Sequence, residues 1–523
     1  MVRAKLGTGR ITRPDVVRVM LDELLSYLLA QFQRISEKGR TLGFLLFVHT
    51  IHESSIPLVQ LSLHEHPDVL RVLDEEERRE LPGVRRILKL LMEELLPAKV
   101  EQKMSADLFA QAKPTKQNVA LLEELLYLGI QALNLKEFIN SCVMSPEAVV
   151  IESSWKKMLS VVYAFPYNKL MWKINEDMAG YHNIEYASLS DELDVALKKD
   201  FGASLTHFLS LMPEQPGSGL IPREEFLNEV GYSGEDLEQL RPFLAGLILS
   251  AANKLPLQES FKKTQQNARL MYRPIIEFND CDDNAYWLVG RAKTFESKDV
   301  LQTNAMLWGE LPQEWSSGQH FQQFVADAEH QRESTMMHQI VELLDKHQLV
   351  YDTSVKYLLD ERGMGVSLEK KALGEIDIII LDQVRKRIYV CECKNNRPRH
   401  EVFYWLSEHR YFVKNYEPKL TRKHTWVNEH IKLVQSHFEH KQGLKLDLTD
   451  WTVEGLFLLM TPSLYKYDGL FLTLTVRDLE EFLENDFTFN YPVFRYERQG
   501  RLPGEIEYPY FRNLHRLAAA GEI

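Results

Sequence analysis

Apolar residues recur at three- and four-residue spacing through most of positions 1–212, the period of helices that each bury one face. RPDVVRVMLDELLSYLLAQFQRI (13–35) begins with Pro14 in its first turn, where the missing N–H leaves no helical bond unmade. VRRILKLLMEELLP (84–97) and NVALLEELLYLGIQAL (118–133) repeat the pattern, but no fixed period links them, so a regular solenoid is not indicated. MPEQPGSGLIP (212–222) concentrates Pro, Gly and Ser and reads as a domain boundary. A second helical stretch (224–255) has only a weak helix-turn-helix look and reads as packing helices, followed by a hairpin, LMYRPIIEF and AYWLVG around NDCDDN. QEWSSGQ (313–319) reads as a second linker.

From about residue 320 the pattern becomes mixed. A helix through HQRESTMMHQIVELLDKH (330–347) precedes LVYDTSVKYLL, then two strands, GEIDIIILD and KRIYVCECKN, joined by DQVRK. Helices over about 399–416 and 424–440 follow. Two further strands, WTVEGLFLLMTP and LFLTLTV, and a helix, RDLEEFLEN, complete an α-β-β-β-α-α-β-β-α order. The expected fold is a multidomain chain: an all-α N-terminal region (1–212), a connecting helical segment with the hairpin (220–315), and an α/β domain (320–523) with a mixed sheet flanked by helices. The aromatic tail FTFNYPVFRYERQGRLPGEIEYPYFRN is expected to pack as a terminal flap.

The two strands at 374–395 carry an anomaly. Strand alternation puts Glu375 and Asp377 on the face opposite Ile376, Ile378 and Ile380, and Glu392 and Lys394 opposite Cys391 and Cys393. If the strands form a hairpin, Asp377, Glu392 and Lys394 converge near one edge. Buried unpaired charges cost several kcal/mol. Two carboxylates at one point repel unless a hard divalent cation lies between them, and oxygen ligands select Mg²⁺ or Mn²⁺. A lysine beside them can orient or deprotonate a water, or stabilise charge on a phosphate. A structural ion pair is the plainer reading for Glu392 and Lys394 alone; Asp377 on the neighbouring strand shifts the balance to a site.

Asp377 on one strand and Glu392-Cys393-Lys394 on the next resemble the PD-(D/E)xK nuclease superfamily, the restriction-endonuclease-like fold. The Gly374-Glu375-Ile376-Asp377 form is similar to its Holliday-resolvase-like and Mrr-like branches. The likeness covers roughly 320–486, and the leading proline of the family name is absent. The resemblance implies that Asp377, Glu392 and the backbone carbonyl of Cys393 ligate Mg²⁺ or Mn²⁺ and that Lys394 positions the attacking water. It also implies a glutamate on the preceding helix. Glu333 lies one turn before Met337 on the inward stripe Met337, Ile340, Val341 and Leu344, whereas Glu342 lies off it, so Glu333 is the expected fourth member. Asn395, Asn396, Arg397 and Arg399 follow the lysine and are candidates for phosphate contacts, as are Arg422 and Lys423.

The remaining chemistry is mostly exclusionary. The net charge of −13 argues against coating nucleic acid with the whole surface, yet residues 371–442 hold 14 Lys/Arg against 9 Asp/Glu, a local basic bias. Cys391-x-Cys393 lacks a second cysteine pair and reads as buried thiols. The histidines at 400, 409, 424, 430, 437 and 440 fit no zinc spacing and are expected mostly on helix surfaces. Neither a phosphate-binding Gly-x-x-x-x-Gly-Lys-Ser/Thr loop nor a zinc-protease or Gly-x-Ser-x-Gly motif occurs. No signal peptide or membrane-length apolar run stands out, and four cysteines fit a reducing cytoplasm. The leading expectation is a metal-dependent nuclease acting on DNA, with the helical region engaging a protein partner, an identical subunit or a nucleic-acid feature, as a microbial defence effector would. A nuclease-fold scaffold without cleavage and an RNA-directed nuclease are the alternatives.

Overall fold

In the computed structural model the described residues are 9–63, 73–97, 114–144, 148–153, 159–164, 167–179, 189–212, 218–262, 268–305, 308–397, 402–498 and 501–519, with a few single positions between them. They fall into two units, one of Met1–Met20, Glu137–Ile184 and Arg332–Ile523, the other of Leu21–Lys136 and Glu185–Gln331. These do not follow the three consecutive domains expected from the sequence, because packing rather than chain order groups the segments.

The unit built from 21–136 and 185–331 contains the helices Leu42–Leu63 and Glu75–Leu95. Phe44, Leu45, Val48, Ile87, Leu91 and Leu125 share one core. The expected hairpin is present as Ile275–Asn279 and Ala285–Gly290, inside a four-stranded sheet. Both expected linkers need correction within this unit. Residues 213–217 lie outside the described residues, but Ser218–Pro222 is a strand paired antiparallel with the hairpin. Gln313–Ser317 is a 3₁₀ turn anchored by fully buried Trp315, which stacks on Phe243 and donates to its carbonyl at 3.1 Å. A large aromatic outweighs the flanking Ser and Gly in deciding whether a segment is loose. The 224–255 stretch packs as helices, with Phe226, Leu227, Leu240 and Phe243 buried. A window at Leu42–Val59 has the length and hydropathy of a membrane span, but 67% of it is buried inside the protein.

In the other unit the N-terminal region is not all helical. Gly9–Ile11, Val149–Ser153 and Leu159–Tyr163 make a three-stranded antiparallel sheet. Val149, Val150 and Ile151 are buried, and such short β-branched runs carry too few residues to display a period.

The C-terminal part of this unit is a five-stranded mixed sheet with helices. Helix α1 (Gln319–Lys346), of which Arg332–Lys346 belong to this unit, precedes β1 (Val350–Val355), β2 (Ile376–Asp382) and β3 (Arg387–Lys394). Helices α2 (Val402–Tyr411), α3 (Glu417–Glu429) and α4 (Ile431–Gln442) lead to β4 (Thr452–Leu459), β5 (Leu472–Thr475) and α5 (Val476–Glu484). The spatial order is β5-β4-β3-β2-β1. β1, β2 and β3 run antiparallel in succession, and β3, β4 and β5 run parallel. A parallel step needs a crossover, which α2–α4 supply between β3 and β4.

Both faces of the sheet are covered, which is why β2 reads as a nearly continuous apolar run. Ile379, Leu381, Val390 and Phe457 share a core with Phe412, Leu420, Val427 and Val434 from the α2–α4 side. On the opposite face, Tyr389 meets Phe482 of α5, and Lys346 of α1 pairs with Glu480 and Glu484 of α5. Burying each aliphatic side chain contributes roughly 1.5–3 kcal/mol. The β2 residues Ile376, Ile378, Ile379, Ile380 and Leu381 therefore anchor a strand whose N-terminal end carries an acid.

Two local expectations change here. The inward residues of α1 are Met336, Ile340 and Leu344, a one-residue rotation from the expected stripe through Met337. His437 is not a surface residue but 1% exposed: its Nε2 lies 2.8 Å from Asp352 on β1, and its Nδ1 accepts the Leu359 N–H at 3.2 Å. Burial works against ionised Asp352, yet the hydrogen bonds from His437 and Lys441 hold it below the usual carboxylate range. The aromatic tail packs as expected where described, with Tyr491 stacked on Tyr508 at 3.8 Å and Tyr510 near Tyr467.

Candidate active site

The β2–β3 ladder runs from Asp382↔Arg387 to Ile378↔Cys391 and stops there. The next pair in that series is Asp377 opposite Glu392. Instead of continuing the ladder, the Cys393 N–H donates to Asp377 Oδ2 at 2.7 Å. Hydrophobic register thus carries both acids to the point where the two strands cease pairing, and their side chains share a face.

Three oxygens converge on one nitrogen at that point. Lys394 Nζ lies 3.5 Å from Asp377 Oδ2, 3.0 Å from Glu392 Oε2 and 2.9 Å from the Cys393 carbonyl. The Tyr416 ring centroid is 5.2 Å from the same ammonium. Glu392 is 3% exposed, and its other oxygen is held by buried Lys423 of α3. Lys423 also donates to the Glu375 carbonyl.

These contacts set the charge states. Burial, then the neighbouring Glu392 charge, pushes Asp377 above the usual carboxylate range, with Lys394 opposing. Burial works against the charge on Lys394, but Asp377 and Glu392 more than offset it and its pKa is raised. Burial pushes the thiols of Cys391 and Cys393 far above their ordinary value, so both stay protonated. All four cysteines are free.

The turn after β3 is tied to three neighbours. Asn395 Nδ2 donates to the Arg332 carbonyl of α1 at 2.6 Å, and Asn396 Nδ2 to Glu408 of α2 at 3.3 Å. Asn396 also accepts from the N–H and hydroxyl of Thr461 beyond β4. These bonds fix the direction in which Lys394 leaves the strand, a supporting role rather than phosphate contact.

Of the residues expected from the sequence, Asp377, Glu392, Lys394 and the Cys393 carbonyl meet at one point. Glu333 does not join them: it is exposed, and among the described residues no hydrogen bond or ion pair links it to the group. The backbone of α1 does reach the site one residue away, through Arg332. Glu342 is exposed and pairs with His338 at 3.2 Å. The Glu375 side chain faces Lys356 at 3.7 Å rather than the centre. Arg397 is buried, so it is no open phosphate contact, and Arg399 lies outside the described residues. Arg422 is exposed, while Lys423, expected as a surface contact, is a buried member of the site. A signal for Lys423 existed: it sits on the apolar stripe Leu420, Lys423, Val427, where a charge needs a buried partner.

Oxygen donors suit a hard cation, and an ammonium enclosed by three oxygens within 3.5 Å marks a cation-sized position lined by acceptors. Asp377, Glu392 and the Cys393 carbonyl therefore fit Mg²⁺ or Mn²⁺. Among the described residues no group of three or more His, Cys, Asp or Glu side chains is placed to hold a metal ion. Comparison with protein families, curated proteins and solved structures finds no match for this chain.

Proposed function

We propose that the unit containing the five-stranded sheet is a nuclease of the PD-(D/E)xK, restriction-endonuclease-like type, hydrolysing phosphodiester bonds with DNA as its substrate. The observation that carries the reading is the meeting of Asp377, Glu392 and the Cys393 carbonyl around the Lys394 ammonium. The strand order, with an antiparallel β1-β2-β3 meander followed by a helical crossover to parallel β4, supports the fold assignment.

Asp377, Glu392 and the Cys393 carbonyl would hold a Mg²⁺ or Mn²⁺ ion. Such an ion, when bound, supplies positive charge beside the phosphoryl oxygens as they become more negative in the transition state. Lys394 presents its N–H donors at the same point and orients the attacking water toward the phosphorus. The Asn395 and Asn396 bonds hold that lysine's backbone in place. Lys423 withdraws one oxygen of Glu392 from repulsion with Asp377. The unit formed by 21–136 and 185–331 supplies recognition or regulation.

One observation favours a second reading, a nuclease-fold binding protein without cleavage: Lys423 neutralises Glu392 from within the chain, and Glu333 stands apart. Incubating the purified protein with labelled DNA and RNA, in Mg²⁺ or in EDTA, separates the readings. Cutting that requires Mg²⁺ and disappears in Lys394→Ala while binding persists supports the nuclease. Cutting that survives both EDTA and Lys394→Ala, or binding with no cutting at all, refutes it.

A further inference from the structure

Between α2 and α3 the chain makes a π-helical turn, Phe412–Tyr416. Such a turn adds a residue to the helical repeat, rotates the helix that follows, and is frequent at functional sites. Phe412 anchors it, fully buried against Phe457 and Tyr465. The rotated Tyr416 lies over the Lys394 ammonium, and Tyr411 meets Tyr416 edge-on at 4.9 Å. Tyr411 is 52% exposed, an aromatic ring in solvent two contacts from the candidate catalytic lysine.

The stretch of chain that carries these rings is basic on balance. From Arg410 to Lys423 the chain carries Arg410, Lys414, Lys419, Arg422 and Lys423 against a single acid, Glu417. Glu417 is engaged by the Tyr465 hydroxyl at 2.6 Å, and Lys423 by Glu392. Arg410, Lys414, Lys419 and Arg422 are exposed. Aromatic faces for bases, interleaved with cations for a backbone, are the elements of single-strand recognition, whereas a paired duplex hides its base faces.

We infer that Tyr411, backed edge-on by Tyr416, is a stacking platform for an unpaired nucleotide at the mouth of the site, flanked by Arg410, Lys414, Lys419 and Arg422, so that the substrate is single-stranded or carries an unpaired end at the scissile phosphate. The inference rests on the nuclease reading for the chemistry, but the platform's binding preference stands apart from it.

The test measures binding by the full-length protein in EDTA, using labelled single-stranded DNA, single-stranded RNA and blunt duplex DNA of one sequence. The parent is expected to prefer unpaired strands. Tyr411→Ala should weaken single-strand binding by roughly 5- to 150-fold, the loss of one base stack, with duplex binding unchanged and Tyr411→Trp restoring the preference. Equal affinity for strand and duplex, or a Tyr411→Ala variant that loses both alike or neither, overturns the platform. If that occurs while Mg²⁺-dependent cutting still needs Lys394, the nuclease reading survives alone. A strand preference lost in Tyr411→Ala without cutting of any substrate leaves the platform standing and removes the nuclease.

Discussion

Replacing Lys423 by Met tests the electrostatics of the site most directly. Met keeps most of the apolar stem that α3 turns toward Glu392 of β3 and deletes the ammonium. The Lys423 and Glu392 side chains are 6% and 4% exposed, so little solvent is available to take over the lost partner. Breaking a buried pair from one side costs about 3–5 kcal/mol. Lys394 remains 3.0 Å from the other Glu392 oxygen, which places the expected loss near the lower end, about 3 kcal/mol. Urea denaturation of the parent and Lys423→Met, each in EDTA and in excess Mg²⁺, measures this. An ion gripped by Asp377 and Glu392 should return charge to the variant, and binding at a hundred times Kd stabilises by about 2.7 kcal/mol. The parent should gain less, since Lys423 already neutralises Glu392. The double variant Lys423→Met/Glu392→Gln should recover part of the loss without Mg²⁺, because both charges are gone. A Lys423→Met loss below about 1 kcal/mol, or equal Mg²⁺ stabilisation of parent and variant, would refute the argument that Lys423 neutralises Glu392 from within the chain.

Other perturbations follow from the same structure. Lys394→Ala should lower single-turnover cleavage by about 10²–10⁴-fold with little change in nucleic-acid affinity; a fall in binding with unchanged cleavage would assign Lys394 to binding instead. Gly455→Ala on β4 should destabilise by about 1–3 kcal/mol in chemical denaturation, since an added Cβ would lie 2.6 Å from the Phe471 ring; an unchanged midpoint would show that the ring yields. Burial, with Lys293 nearby, lowers His49 to about 3, against about 6.5 when unfolded. The unfolded chain therefore takes up the extra proton between these values. Stability from His49 is intact above pH 6.5 and falls as the pH drops toward 3, by on the order of 3 kcal/mol at pH 4. Denaturation from pH 7 to 4 should show His49→Leu with a shallower loss than the parent; His52, also held neutral by burial, and depressed carboxylates such as Asp352 contribute to the loss that remains. Parallel slopes would refute it.

Much of the C-terminal architecture was legible because its signals are local. Strand alternation and the apolar runs around GEIDIIILD and KRIYVCECKN identified β2 and β3, and the short DQVRK connection implied their antiparallel pairing. From that pairing alone Asp377, Glu392 and Lys394 had to lie near one another, as they do. The helix carboxylate depended on a different kind of information. Spacing placed Glu333 on an inward stripe, but a helix buries only the turns that have something to pack against, and the turn at Glu333 is open to solvent while Met336, Ile340 and Leu344 are covered.

What lay beyond local pattern was every pairing across long chain separations. Lys423 looks like a surface base until α3 folds over β3 and supplies Glu392, and His437 looks exposed until Asp352 arrives from β1. Trp315, within an apparent linker, becomes an anchor only because Phe243 stacks on it. The early strands Val149–Ser153 and Leu159–Tyr163 were too short to announce themselves, and Val149–Ser153 finds its second partner in the distant Gly9–Ile11. Periodicity encodes which face of an element is apolar, a property of neighbouring residues. The partner that neutralises a buried charge is chosen by packing in three dimensions, and no spacing along the chain records that choice.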